Sequence, residues 1–542
     1  MLPDAASGAG TLPDPPDGRL ARSAGLAGVA TLASRILGLV RESVQAAIFG
    51  ASNEMDAFLV AFRIPNLARD LFAEGAMSAA FIPTFTRDLT LRGKADAWRL
   101  GNNVINALLC ASGLLVVVGI AFARPLVTAY AGDYAAVPGK LELTVELSRV
   151  LMPFLTLVAI ASAMMGMLNS LHHYFVPALS PAMFNIAAIV CAVALVPLMP
   201  VLGWPRVMAV AIGAILGGIG QIVIQVRPLW REGFRYRPML DTRDEGLRRI
   251  LVLMGPGTLG LAATQVNVLI NTMLATSQGT GAVSWLTYAF RLMYLPIGLF
   301  GVSVATAVLP QVARHVALGD HQAIRGTVSR GLALMLAVNV PAMLGLIVLA
   351  EPITRLLFER GRFLPSDTAA TADALRFYAV GLVGYSAVRI ASPVFYALGR
   401  NRLPVGAAFG SIAVNVLASV LLVRLLGFRG LALSTSIAAL INGGALIWLL
   451  RNPLGGIDGG HLLLTFVKTL SAAAVMAAVA VGIERWVVVI VGNDRVIDQS
   501  ICLSVSITAG LLALAAAARL LRIREFDEAF ALARERLQKL RG

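Results

Sequence analysis

Apolar residues run through this chain in long stretches, each about one bilayer deep, separated by short polar segments. The stretches fall at about 23–49, 56–83, 103–123, 145–171, 176–199, 205–226, 247–276, 282–310, 328–350, 371–398, 404–426, 430–450, 462–483 and 498–518. A spanning helix needs about 20 mostly apolar residues, so the pattern predicts an all-α polytopic membrane protein of about fourteen transmembrane helices. Most stretches are rich in Gly, Ala and Ser, which suits close helix packing in lipid. Residues 1–22 are rich in Pro, Gly, Ala and Asp and predict a disordered tail. They lack the basic start and apolar core of a secretory signal. At the other end, Ile523, Phe526, Phe530, Ala533, Leu537 and Leu540 recur at helical spacing among Arg, Lys and Glu. The segment 522–542 therefore reads as a basic amphipathic helix on the cytoplasmic leaflet, or as a solvated helix.

Composition agrees with the pattern. Of 542 residues, 58% are hydrophobic and only 14% charged, and mean hydropathy is +0.78. A soluble domain carries about 25% charged residues, so lipid is the expected solvent. The net charge of +15 would suggest nucleic acid in a soluble protein, but its placement argues otherwise. With the N-terminus inside, roughly 26 Lys and Arg fall on the cytoplasmic side and roughly 10 on the other, which puts both termini in the cytoplasm by the positive-inside rule. Cys110, Cys191 and Cys502 lie in apolar runs without CxxC spacing, so they read as small buried hydrophobes. His172, His173, His315, His321 and His461 fall in or beside cytoplasmic loops with no Cys ligand nearby. No metal, no cofactor and no catalytic residue is expected, and the absence of GxxxxGK[ST] argues against direct ATP use.

The chain repeats itself. AFRIPNLARDLFAEGAMSAAFIPTFTR, from Ala61, resembles AFRLMYLPIGLFGVSVATAVLPQVAR, from Ala289, at an offset of 228 with a one-residue slip near the end. Arg149 and Pro177 pair with Arg376 and Pro404 at an offset of 227. These pairs match the second span to the eighth and the fourth to the tenth. A shift of six spans preserves orientation, as in two-lobed transporters with parallel repeats. The expected organisation is two pseudo-symmetric six-helix lobes, 23–227 and 228–451, then two further helices over 452–521 and the tail.

Several spans carry charge. Arg35, Arg41 and Glu42 lie in the first, Asp56, Arg63, Arg69, Asp70 and Glu74 in the second, and Arg291 in the eighth. A charge at mid-bilayer costs about 2.5–3.5 kcal/mol on insertion scales, so such residues face a bundle interior or a wet cavity. Arg35 and Glu42 are seven apart and share a helix face, as do Asp56, Arg63 and Asp70. Pro65 and Pro296 fall within the charged spans and predict kinks there. Guanidinium binds phosphate oxygens bidentately and stays charged. Arg35, Arg41 and Arg291 therefore form a candidate pyrophosphate site. The alternative is structural, with arginines locked to nearby carboxylates, and it has most force for Arg69 beside Asp70 and Glu74.

The stretch Ser34 to Phe85, with its PNLxRxLFAEG segment, resembles the signature region of the MurJ (MviN) lipid II flippases. Similarity continues through PFLTLVAIASAMMGMLNSLHHYFVPALSPAMFN, LLFERGRF and YALGRNRLP and covers about residues 23–520. The resemblance implies the multidrug/oligosaccharidyl-lipid/polysaccharide exporter fold with fourteen helices. It implies a substrate, lipid II, in which undecaprenyl pyrophosphate bears the peptidoglycan disaccharide-pentapeptide. It implies a location in the bacterial inner membrane. Essential arginines of the family map to Arg35, Arg41, Arg69 and Arg291, and important acids to Asp56 and Glu74. Ser34 and Asn66, beside these, complete the candidate substrate-binding set. The last two spans would hold the lipid tail. An Arg that often follows the helix-2 Arg is Asp70 here, and an acid that precedes the helix-8 Arg in some members is Phe290. Acids that some members use for sodium are absent from the seventh and eleventh spans, which carry Asn267, Asn271 and Asn415. A monovalent cation or the membrane potential is the expected energy source.

The reading this supports is a flippase working by alternating access. A flippase for another polyprenyl-linked saccharide and a multidrug exporter of the same fold stand as alternatives, although cationic drugs would favour a cavity dominated by acids. An enzyme on lipid-linked sugars would need catalytic acids or a metal. A scaffold for cell-wall synthesis would not need the arginines.

Overall fold

The computed structural model describes residues 17–70, 75–298 and 302–526. The candidate Glu74, residues 1–16 and most of the expected amphipathic tail lie outside the described residues. Among those described, every regular element is helical. The chain divides into two compact units, Met1–Thr280 and Gly281–Gly542.

The first unit holds α1 (Asp17–Phe49), α2 (Asn53–Arg69), α3 (Gly75–Leu91), α4 (Lys94–Ala121), α5 (Ala123–Ala131), α6 (Lys140–Leu151), α7 (Phe154–Ser170), α8 (Phe175–Leu195), α9 (Met208–Arg231) and α10 (Glu245–Thr276). The second holds α11 (Ala282–Pro296), α12 (Val302–Ala317), α13 (His321–Val348), α14 (Ala350–Phe358), α15 (Pro365–Val380), α16 (Leu382–Ala397), α17 (Arg402–Leu426), α18 (Phe428–Leu450), α19 (Gly459–Val491) and α20 (Val496–Leu520). Side-chain caps start several helices: Asp244 accepts from Leu247 N at 2.8 Å, Asp320 from Ala323 N at 2.9 Å and Asp458 from His461 N at 3.2 Å.

Nine helical segments among the described residues are long and apolar enough to cross a bilayer, and α15 with α16, bent by 41° between them, makes a tenth. The remaining expected spans, 23–49, 56–83, 247–276 and 282–310, carry the membrane charges or contain residues or side chains outside the description. The outward surface is that of a protein dissolved in lipid: Leu425 is 78% exposed, Leu512 67% and Val489 84%. The interior is correspondingly rich in small and polar residues, and buried hydroxyls bond back to their own helix, as Thr144 does to Lys140 O and Ser148 to Thr144 O, both at 2.7 Å.

Glycines set the closest helix approaches. A Cβ on Gly217 of α9 would lie 2.7 Å from Phe184 Cα of α8. A Cβ on Gly384 of α16 would overlap the Ala439 carbonyl of α18, and one on Gly443 would lie 2.8 Å from Gly384 O. The α16–α18 crossing therefore requires glycine on both sides.

The segment after α9 is extended and lies against α4. Asn102 accepts from Arg237 N at 2.8 Å and donates to Arg235 O at 3.0 Å. Asn103 does the same for Asp241, at 2.8 Å each way. Asn106 donates to Arg237 O and accepts from the Tyr236 hydroxyl. The amides supply the donors and acceptors that a neighbouring strand would give this backbone. Beside it, Glu232 accepts from Lys94 Nζ and pairs with His173 Nε2, both at 2.9 Å.

Two outcomes follow from these contacts. Gly384→Ala should lower stability by about 1–3 kcal/mol through overpacking, whereas Gly410→Ala, where a Cβ meets open space, should be neutral or stabilising by about 0.4–1 kcal/mol. Thermal unfolding of both variants in detergent checks the contrast. The hydrogen bonds from His173, then Lys94, hold the Glu232 carboxyl below its ordinary range. A depressed carboxylate contributes stability that is complete above the unfolded value, about 4.3, and is lost as pH falls through the folded value. Glu232→Gln should therefore flatten the acid limb of a stability–pH curve and leave the neutral region less stable than wild type.

Candidate functional site

The candidate arginines of the first unit differ in surroundings. Arg35, midway along α1, is exposed. The carbonyl of the preceding Ser34 accepts from Asn185 Nδ2 of α8 at 3.0 Å, so this stretch of α1 is fixed against its neighbour. One turn and a half further on, Arg41 is nearly enclosed, its side chain 12% exposed. Its Nη2 donates to Glu42 at 3.0 Å, and the guanidinium carbon lies 5.0 Å from the Phe184 ring centroid. Phe184 belongs to an aromatic group with Phe62 of α2 and Phe154 of α7, at centroid separations of 5.2–5.8 Å. The ring face attracts the cation, and Glu42 neutralises it.

On α2, Asp56 is wholly buried and bound to Lys140 Nζ of α6 at 3.1 Å, with side-chain exposures of 2% for Lys140 and 0% for Asp56. The ammonium also sits 4.0 Å from the Tyr134 ring centroid. Lys140 is the first residue of α6. Its partner lies 84 residues away in the chain, and no spacing pattern connects the two.

Further along α2, Asn66 donates to Phe62 O at 3.0 Å. Pro65 is buried and the helix continues past it to Arg69 before opening into a wider turn at Asp70. Arg69 donates to Asp70 from Nη2 at 2.7 Å and from Nε at 3.1 Å. The second Asp70 oxygen accepts from Gln265 Nε2 of α10 at 3.0 Å. The aspartate that departs from the family pattern is thus the residue that ties Arg69 to α10. The sequence offered no sign of Gln265.

In the second unit Arg291 lies on α11 and is exposed. Pro296 is the last residue of that helix, and a wider turn follows at 297–298. Phe290, which stands where some family members have an acid, packs on Tyr294 and Tyr378 at 5.6 and 5.4 Å. A further cation lies in the same unit. Arg389, in the middle of α16, is exposed and donates to the Tyr294 hydroxyl. A lone charge inside an apolar span was the signal available for it.

The buried Asp56–Lys140 pair separates structural from transport roles. Asp56→Ala leaves an enclosed ammonium unpaired and should cost about 3–5 kcal/mol. Asp56→Asn with Lys140→Met should cost less than the sum of the single changes. Thermal unfolding of the four proteins of this cycle gives the coupling, and transport by the stable double variant tells whether the carboxylate serves more than the lock.

Comparison with known proteins places this architecture. The family described as Lipid II flippase MurJ matches residues 45–492. Lipid II flippase MurJ of Burkholderia cenocepacia is 35% identical over 461 residues, 84% of this chain and 88% of that protein. A solved structure of lipid II flippase MurJ in an inward closed conformation superposes with a TM-score of 0.73 at 25% identity, covering 92% of this chain and 99% of that one. An inward-facing multidrug transporter of the MATE family shares the fold at 17% identity, with a TM-score of 0.60 over 79% of this chain and 94% of its own. The chain is a multi-pass bacterial membrane protein and belongs to the MurJ family of lipid II flippases.

Proposed function

We propose that the protein moves lipid II, undecaprenyl pyrophosphate bearing the disaccharide-pentapeptide, from the cytoplasmic to the periplasmic leaflet by alternating access. It is a transporter and not an enzyme. The observation that carries the reading is the family match joined to exposed guanidinium groups, Arg35 on α1 and Arg291 on α11. A pyrophosphate carries several oxygen acceptors, and arginine binds them without any change of protonation. Arg35 and Arg41 in the first unit and Arg291 in the second supply cationic contacts to the headgroup along its path. Ser34, Asn66, Asp56 and Glu74 belong to the same functional region. In this reading Arg69, already held by Asp70 and Gln265, positions the end of α2 as well as contributing charge.

Both termini are cytoplasmic in this reading, as the loop charges favour. The membrane potential, or a monovalent cation, resets the cycle. Moving one charge through 100 mV is worth about 2.3 kcal/mol, enough to bias a conformational equilibrium about fiftyfold. The MATE-like fold also suits a multidrug exporter, but arginines in the membrane repel the cationic compounds that acidic cavities attract.

Cells depleted of their own flippase and supplied with Arg35→Ala, Arg41→Ala or Arg291→Ala should not grow, although each variant inserts at the wild-type level. An assay of leaflet distribution should find the lipid-linked peptidoglycan precursor retained on the inner leaflet. Full rescue by all three would favour a scaffold role, and retention of a different polyprenyl-linked saccharide would change the substrate.

A further inference from the structure

The stretch LLFERGRF, to which the headgroup path gives no role, closes a turn against α11. Phe358 ends α14 and Phe363 stands two residues before α15. Gly361 between them has a left-handed φ of 59°, which lets the chain reverse there. Both phenylalanines are buried, and both lie against the buried Tyr288 ring of α11, at centroid distances of 4.9 and 5.8 Å. Asp367, in the first turn of α15, ties the turn off. One of its carboxylate oxygens accepts from Leu364 N and the other from Trp285 Nε1 of α11, both at 3.0 Å. Asp367 is itself buried, and the Trp285 indole packs on Phe428, the first residue of α18, at 5.1 Å. Near its start, α11 is thus gripped at two positions one turn apart, Trp285 and Tyr288, by residues of α14, α15 and α18.

The first unit grips α2 at the corresponding place. The offset of 227 that pairs Arg149 with Arg376 carries Lys140 onto Asp367, and the offset of 228 carries Asp56 onto Ser284, beside Trp285. In each unit a polar bond therefore joins the helix that opens the second or eighth span, α2 or α11, to the helix that opens the fourth or tenth, α6 or α15. The partners are exchanged. The carboxylate lies on α2 in the first unit and on α15 in the second, where an indole N–H stands in place of the ammonium. A wide turn follows the gripped helix in both units, at Asp70 and at 297–298. A bent helix passes motion on only from a base that does not yield, and this bond supplies such a base.

We propose that Trp285 and Asp367 are positioning residues for transport, and that their hydrogen bond is the latch that holds the base of α11 while the chain beyond the wide turn moves. The proposal rests on the flippase reading and adds to it a fixed point in the second unit. It also gives the LLFERGRF turn a task, since that turn places Phe358 and Phe363 on Tyr288 and is closed by the carboxylate that holds Trp285.

The test uses the full-length protein in lipid vesicles, with lipid II as the transported probe. Trp285→Phe keeps a ring against Phe428 and removes the N–H donor. Amide hydrogen exchange over 286–292 should rise about tenfold, the equivalent of one lost hydrogen bond to a charged acceptor. The rate of headgroup crossing should fall about fivefold or more, while binding of undecaprenyl pyrophosphate stays within about twofold of wild type. Trp285→Lys offers Asp367 an ammonium, as Lys140 does Asp56, and should restore slow exchange and most of the crossing rate. A merely structural role would lower melting temperature and crossing together, and would not return crossing to a variant that has also lost the indole ring. Should Trp285→Phe unfold, Asp367→Asn takes its place, because an amide offers one acceptor to two donors and gives up one of the bonds. Unchanged exchange, wild-type crossing despite faster exchange, or a folded Trp285→Lys that crosses as slowly as Trp285→Phe each overturn the inference and leave the flippase reading standing. A wild-type protein that moves no lipid II removes both.

Discussion

A cation inside a bilayer must be met by something other than lipid, and the first unit shows two ways of meeting it. Lys140 is enclosed completely and bound to Asp56, with an aromatic ring on its other side. Such a pair gives back little net stability, because both ions have lost their water, yet breaking it is expensive. It fixes α2 to α6. Arg41 and Arg69 are met by carboxylates adjacent in sequence, and residues of α8 and α10 help to hold them. Arg35, Arg291 and Arg389 are exposed instead. The difference between enclosed and exposed cations is invisible in a count of charges.

Holding exposed arginines in register demands a stiff frame, and in lipid the hydrophobic effect does not supply one, since the tails are as apolar as the side chains. The frame comes from close approach. Gly384 and Gly443 let α16 and α18 touch backbone to backbone, and Gly217 lets α9 reach α8. α16 carries Arg389 and α8 carries Phe184 and Asn185, the residues that brace Arg41 and the Ser34 turn. These glycine contacts thus lie on helices that carry or brace arginines. Asparagine does comparable work where the backbone leaves the helical pattern. Asn102, Asn103 and Asn106 answer the extended segment that leads from α9 towards α10.

Much of this was legible in the sequence, because the bilayer imposes a length and a polarity that few other environments do. The apolar spans, the charged helices and the family could all be read from residue order. Partners distant in sequence could not. Nothing in the neighbourhood of Lys140 announces Asp56, and Gln265 reaches Asp70 across 195 residues. Each such pair depends on a tertiary approach that helical periodicity does not encode. Arg389 is a different case: a single charge within VRIASP was visible, but without a repeat partner or a motif around it nothing raised it above its neighbours. Asp70 could be read as a departure from the family pattern, while its consequence, a carboxylate shared by Arg69 and Gln265, needed the fold.

The internal repeat gives the helix breaks a meaning that the prolines alone do not. α2 opens into a wider turn at Asp70, and α11 does so at 297–298. An offset of 228 carries Asp70 onto Gly298, so the two breaks occupy equivalent positions. The prolines do not correspond: the same offset carries Pro65 onto Met293, and Pro296 back onto Ala68. A proline frees a carbonyl one turn before itself, so Pro65 and Pro296 free those of Ala61 and Leu292, which lie before the wide turns. Wide turns of this kind recur at functional sites, where a helix must change direction without ending. Here each follows a helix that presents an arginine, Arg63 or Arg291, at matched positions seven residues before it. The repeat thus places each wide turn seven residues beyond an arginine, whichever residue carries the proline.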